Sequence, residues 1–239
     1  MKKTGVIGGT VFLDEKLFEL GEEKIIGTAF GKATLFTSDT IIYIPRHGTD
    51  PDNFILPHLI NHAANIKALK DEGAEEIIGI NSTGSLKKGL PPGFLVIPDD
   101  FIAFCPTPTI FSNAAVHTPP ILDEKMRSRL RSAAAACKVT PVSSGVYWQT
   151  MGPRFETKAE IRMMANFCDI VGMTMASEAI LSCEFQIPYA SICSIDNYAH
   201  GIATETLSAT AVRNGARKNA AIIARIVHEY AGRNFQNEQ

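Results

Sequence analysis

Short runs of apolar, mostly β-branched residues alternate along this chain with stretches of helical periodicity, and the runs end in turns rich in glycine, proline or hydroxyl side chains. Residues 5–7 enter the pair Gly8-Gly9, and residues 40–44 stop at Pro45. Residues 76–80 run into Asn81-Ser82-Thr83-Gly84, and residues 94–97 stop at Pro98. Segments 142–147, 169–171 and 189–194 also read as strands. Between them, apolar residues spaced three or four apart predict helices over 57–70, 122–138, 158–166, 176–185 and about 204–230. Gly73 ends the first of these. In the last, Leu207, Val212, Ala216, Ile223, Ile226, Val227 and Tyr230 are expected to face the core. Strands alternating with helices predict an α/β fold, with a twisted, mostly parallel or mixed central sheet flanked by helices. The 239 residues carry no internal repeat and no low-complexity linker, and are read as one domain able to bury a sizeable core.

Composition narrows the function classes. The formal net charge is −2 with no long basic run, which argues against a nucleic-acid platform. Five cysteines stand at wide, irregular spacings without a C-x-x-C pair, so reduced thiols are expected rather than a disulfide framework. No signal-like apolar region and no stretch of about 18 apolar residues occurs, so no membrane association is expected and a cytoplasmic location is. No cluster of histidines and carboxylates has metal-ligand spacing, so neither a metal nor another cofactor is expected.

The chemistry-bearing residues fall at the strand ends. In an open α/β sheet, ligands bind beyond the carboxyl ends of the strands. Gly8-Gly9 lets the backbone approach an oxyanion and Thr10 adds a hydroxyl donor, although a plain turn has the same composition. Arg46-His47 directly follows a strand; an arginine forks onto phosphate oxygens and a histidine can donate from either ring nitrogen. Ser82 and Thr174 add hydroxyls. Glu156 and Thr157 either face a ligand or serve the start of the next helix.

Six stretches taken together carry a family resemblance: Gly-Val-Ile-Gly-Gly-Thr (5–10), Pro-Arg-His-Gly (45–48), Asn-Ser-Thr-Gly-Ser (81–85), Gly-Pro-Arg-Phe-Glu-Thr (152–157), Val-Gly-Met-Thr (171–174) and Ser-Ile-Asp-Asn-Tyr (194–198). In this order and spacing the chain resembles the purine nucleoside phosphorylase and methylthioadenosine phosphorylase family. The resemblance implies that Thr10, Arg46, His47, Ser82 and Thr174 bind inorganic phosphate, a co-substrate that attacks C1′ of a nucleoside. It implies that Phe155 packs on the purine, that Met173 lies along the ribose, and that Glu156 and Asn197 recognise the base. An ionised Glu156 accepts from the N1–H of a 6-oxopurine, and the Asn197 amide donates to N7 or O6. Adenine lacks that proton, so 6-oxopurine nucleosides such as inosine, guanosine and methylthioinosine are the expected substrates. Asp196 stands where the family more often has threonine; a shift of one residue would turn it toward the base and make the adenine nucleoside methylthioadenosine the substrate. The resemblance further implies a homotrimer or hexamer, in which His117 reaches a neighbouring subunit's ribose pocket. Two competing readings remain open at this point. One is a nucleosidase using water, against which the Arg46-His47 pair argues; the other is a non-catalytic nucleoside-binding module.

The chain also departs from the family pattern. An acidic loop, Thr49-Asp50-Pro51-Asp52-Asn53, follows Arg46-His47-Gly48; Met151 precedes Gly152; and Ser177 replaces a frequent proline before Glu178.

Overall fold

A computed structural model describes residues 3–9, 12, 18, 20–204 and 207–232. Among these, ten strands form one mixed sheet. Strand β1 (Lys3–Gly8) lies parallel between β4 (Ile41–Pro45) and β5 (Ala74–Ser85). A hairpin of β2 (Glu23–Thr28) and β3 (Gly31–Thr37) extends the sheet antiparallel from β4. On the far side of β5 the sheet divides. Most of β5 pairs in parallel with β10 (Tyr189–Tyr198), to which the short β6 (Leu95–Val96) adds antiparallel. The end of β5 pairs antiparallel with β9 (Ile170–Gly172), which continues in parallel through β8 (Val146–Gln149) to β7 (Asp100–Ala103).

Helices cover both faces. On one, α1 (His62–Asp71) and α4 (Met175–Glu184) pack Ile66, Leu69, Met175 and Leu181 into a core with Ile7, Ile42, Ile44 and Ile77. On the other, α2 (Glu124–Ala136) and α5 (Ala209–Gly232) pack Met126, Leu130, Ile223 and Val227 against Val6, Tyr43, Ile78 and Ile192. Successive strand side chains point to opposite faces, so Val6 and Ile7 enter different cores. That is why the central strands read as unbroken apolar runs rather than alternating ones. A smaller cluster joins α3 (Lys158–Met164) to Trp148 and Val171.

Five segments differ from the sequence expectation. The β2–β3 hairpin and β7 escape pattern reading because they lie toward the sheet margins; β2 is exposed or half-buried along its whole length, so no apolar face forms. The helix expected over 57–70 starts later. Pro57 opens a single 3-10 turn, Leu59 is exposed, and α1 begins at His62 after Asn61 caps it by accepting from the Ala64 amide at 3.0 Å. Strand β10 runs four residues beyond Ser194, carrying Asp196 and Asn197 within the sheet. The last helix starts at Ala209, and its first half does not face the core as expected: Val212 and Ala216, with Leu207 just before it, line a cavity.

Candidate active site

The carboxyl ends of β1, β4 and β5 are brought together by their register, Gly8 opposite Pro45 and Ile7 opposite Gly79. A cavity of about 640 Å³ opens at these ends, a size typical of small-molecule sites. Of the residues expected in a site, Arg46, His47, Ser82, Phe155, Glu156, Met173, Thr174 and Asn197 line it. Thr10 lies outside the described residues. His117 is exposed and does not line the cavity within one chain. Asp196 is buried and does not line it either.

Arg46 is held by a fixed set of acceptors. Its Nε donates to Glu178 Oε1 at 2.7 Å, Nη1 to the Ile80 carbonyl at 2.8 Å, and Nη2 to the Ile7 carbonyl at 2.8 Å and Glu178 Oε2 at 3.3 Å. Both side chains of the Arg46–Glu178 pair are buried. Tyr189 donates its hydroxyl to Glu178 Oε2 at 2.8 Å. Burial pushes the Glu178 carboxyl upward, and the Arg46 charge opposes that shift. A Cβ at Gly79 would overlap the Tyr189 hydroxyl, so glycine is needed there for the network to close. The guanidinium plane is therefore preset before any ligand arrives, which limits the reorganisation that binding requires.

His47 is oriented in the same way. Its ring stacks on Phe54 at 4.3 Å between centroids, and Nδ1 lies 2.8 Å from the Ile55 carbonyl. A carbonyl accepts only, so Nδ1 carries the proton and Nε2 is left for the ligand side. Burial and the neighbouring Arg46 charge lower its pKa to about 4. The acidic loop makes this possible: Asp50 caps the 3-10 turn Pro51–Asn53, and the chain returns to set Phe54 and Ile55 against the imidazole. His62, at the start of α1, is also buried, and burial together with the Arg46 and His47 charges lowers its pKa to about 3.

Thr174 is aimed by a relay. The Ser191 hydroxyl donates to Asn81 Oδ1 at 2.8 Å, and Asn81 Nδ2 donates to Thr174 Oγ1 at 2.9 Å. With its oxygen already accepting, the Thr174 proton is available to the cavity. The Tyr147 hydroxyl accepts from the amides of Thr174 and Met175, fixing the entry to α4.

Elsewhere in the cavity lining, Glu156 is buried and accepts from Thr150 Oγ1 at 2.6 Å, which leaves Oε2 without a side-chain donor among the described residues. Thr157 takes the structural role: it caps α3 in a reciprocal capping box with Glu160. Asn197 Nδ2 donates one hydrogen to the Tyr198 carbonyl at 2.8 Å and keeps a second. Gly84 leaves room for that amide, since a Cβ there would come within 3.1 Å of Asn197 Nδ2. Phe155 stays half-exposed at the cavity mouth.

The model of the phosphorylase superfamily matches residues 3–231. The chain belongs to that superfamily. It is 41% identical over 230 residues to a probable 6-oxopurine nucleoside phosphorylase of Archaeoglobus fulgidus, covering 94% of both chains. It is 37% identical to a probable S-methyl-5′-thioinosine phosphorylase of Methanocaldococcus jannaschii, covering 97% of this chain and 92% of that one. Methylthioadenosine phosphorylase from Schistosoma mansoni, solved with adenine, superposes with a TM-score of 0.87 at 28% identity over 97% of this chain and 91% of that one.

Sequence reasoning missed Glu178, Asn81, Ser191 and Tyr189, which hold the site from behind. It also missed the wall supplied by α5, where Val212, Arg213, Ala216 and Arg217 line the cavity. For Glu178 and Tyr189 no local spacing announces the role; they meet Arg46 only through the sheet. Asn81 stands within a motif already singled out, and its burial was the missing signal. Among the described residues, no group of three metal-binding side chains forms, and no helix is long and apolar enough to cross a membrane.

Proposed function

We propose that this chain catalyses the phosphorolysis of purine nucleosides, releasing the free base and a ribose 1-phosphate, with 6-oxopurines preferred. The observation that carries the reading is that Arg46, Ser82 and Thr174, whose side chains can donate to an oxyanion, line one cavity with Glu156 and Asn197. Arg46, Ser82 and Thr174 donate to inorganic phosphate held against C1′, and the neutral His47 accepts at Nε2 from the remaining phosphate hydroxyl. Glu156 accepts the N1 proton of hypoxanthine or guanine, and Asn197 donates to N7, where negative charge develops as the glycosidic bond breaks. The carbohydrate becomes cationic in the transition state, and the phosphate dianion beside it supplies the compensating charge. Positioning and charge stabilisation then account for the rate, and no side-chain nucleophile is required.

The 6-amino alternative is disfavoured because Asn197, not Asp196, borders the cavity. Phe12, Leu207, Val212 and Ala216 give the same cavity an apolar wall. This apolar wall supports a 5′-methylthio group as well as a hydroxyl, each buried Å² of apolar surface contributing about 25 cal/mol. We further propose that the enzyme works as a homotrimer or hexamer. The exposed apolar run Phe54, Ile55, Leu56 and Leu59, which begins at the cavity wall, supports such a contact, and the sedimentation mass checks it.

The test is base release from inosine, guanosine, adenosine, methylthioinosine and methylthioadenosine, each with and without phosphate. Phosphate-dependent release from the 6-oxo set is expected. Release without phosphate would make the protein a nucleosidase, and release from the 6-amino set alone would reverse the base assignment.

A further inference from the structure

Residues 151–155 join β8 to Glu156 along the surface, and all of them but Gly152 are exposed. Arg154, in the middle of this loop, pairs outward with Glu160 of α3. Yet Glu156, at the end of the loop, is only 6% exposed and lines the cavity. Two hydrogen bonds hold it there. His200 Nδ1 lies 3.0 Å from the Glu156 backbone carbonyl, and the Thr150 hydroxyl donates to Glu156 Oε1 at 2.6 Å.

The two bonds do different work. His200 grips the backbone and leaves the side-chain torsions free. Among the described residues, Thr150 supplies the only side-chain donor to the carboxylate. A hydroxyl donating to a carboxylate forms a short, charge-assisted bond of about 2.5–2.7 Å. Glutamate otherwise has several staggered rotamers to choose from, and the choice decides where Oε2 points.

Thr150 is itself fixed by the sheet. Its amide donates to the carbonyl of Gly172, the last residue of β9, at 2.9 Å. The preceding Gln149 is clamped to α4: its Nε2 donates to Ser177 Oγ at 2.7 Å, and its Oε1 accepts from the Ser177 amide at 3.1 Å. Threonine is also stiff at χ1, so the hydroxyl has little freedom of its own. The carboxylate therefore takes its orientation from β8, β9 and α4 rather than from the exposed loop that carries it.

We propose that Thr150 is a positioning residue for base recognition, whose hydroxyl holds the Glu156 carboxylate with Oε2 turned to the edge of the purine. The proposal rests on the reading that Glu156 meets the base. Valine has the shape of threonine without the donor. In Thr150→Val the carboxylate is released to other rotamers and must be ordered again each time a base binds.

The test measures kcat/KM for inosine with phosphate, and the Kd of hypoxanthine by titration calorimetry in the presence of phosphate. The proteins are wild type, Thr150→Val, Thr150→Ser, Glu156→Ala and the double variant with Thr150→Val and Glu156→Ala. Thr150→Val is expected to lower kcat/KM and weaken hypoxanthine about 10–100-fold, the range of a hydrogen bond to a charged group. Thr150→Ser, which keeps the donor on a freer χ1, is expected to recover most of the loss. In the Glu156→Ala background the valine is expected to change either quantity by no more than about twofold, because Thr150 acts through the carboxylate alone. An equal loss in both backgrounds, no loss from valine, or a loss that serine does not recover would overturn the proposal and leave the phosphorolytic reading intact. Hypoxanthine binding that follows the expected pattern without phosphate-dependent base release would overturn the phosphorolytic reading and leave the role of Thr150 standing. Absence of both binding and release in wild type would overturn both.

Discussion

Replacing Glu178 by glutamine preserves shape and removes the charge that balances Arg46. The two side chains are 0% and 3% exposed, and their shortest contact is 2.7 Å. Removing one partner of such a pair leaves a buried, uncompensated charge, at a cost of about 3–5 kcal/mol. The single amide oxygen must also serve donors that two carboxylate oxygens now satisfy: Arg46 Nε, Arg46 Nη2 and the Tyr189 hydroxyl. For a chain of this length each kcal/mol corresponds to about 2–4 °C in Tm, so the variant should melt roughly 6–20 °C below wild type. Phosphate should reverse part of the loss, because a bound dianion supplies the missing negative charge. A ligand present at a hundred times its Kd stabilises by about 2.7 kcal/mol, and the gain should be larger in the variant because its cation is otherwise unpaired. The fluorescence of Trp148, the single tryptophan, buried and edge-on to Phe104 at 5.4 Å, reports the transition. A variant within 1 kcal/mol of wild type, or an equal phosphate-induced rise in both proteins, would refute the idea that Glu178 is the counter-charge holding Arg46.

Three further outcomes follow from the same geometry. Glu156→Gln should lower kcat/KM for inosine by roughly 10–200-fold, the equivalent of about 1.5–3 kcal/mol for a hydrogen bond to a charged group. Asn197→Asp should move the preference toward adenosine, and an unchanged inosine-to-adenosine ratio in both variants would remove these residues from base recognition. Stability should also decline in acid. His47 and His62 stay neutral in the fold down to about pH 4 and about 3, whereas an unfolded histidine takes up its proton near pH 6.5. Their contribution is therefore complete above pH 6.5 and is lost as pH falls below it, by about 1.4 kcal/mol per pH unit for each histidine. Urea midpoints measured from pH 7.5 to 4.5 should show this slope, and His62→Asn should make it shallower; an identical slope in the variant would contradict the neutral state of His62.

Much of this protein was legible before any coordinates. The unbroken apolar runs at 5–7, 40–44 and 76–80 belong to strands buried on both faces, and such burial writes itself into local sequence. The motifs at their ends identified Arg46, His47, Ser82, Thr174, Glu156 and Asn197, because turn glycines, hydroxyls and charges cluster where a strand stops. The β2–β3 hairpin was not legible, since an exposed marginal strand needs no apolar pattern. The bulge that turns Asn197 to the cavity and Asp196 away from it was not legible either, because it is a mismatch between two strands 112 residues apart at the Ser191–Gly79 contact. The Glu178 carboxylate beneath Arg46 is separated from it by 132 residues, and Val212 and Ala216 read equally well as core or as cavity wall. The sequence by itself determined which polar residues gather at the strand ends and which segments become central strands, since both depend on local composition. Only the tertiary structure decided where each side chain points and what stands behind it, since those depend on register and on helices that return from distant parts of the chain.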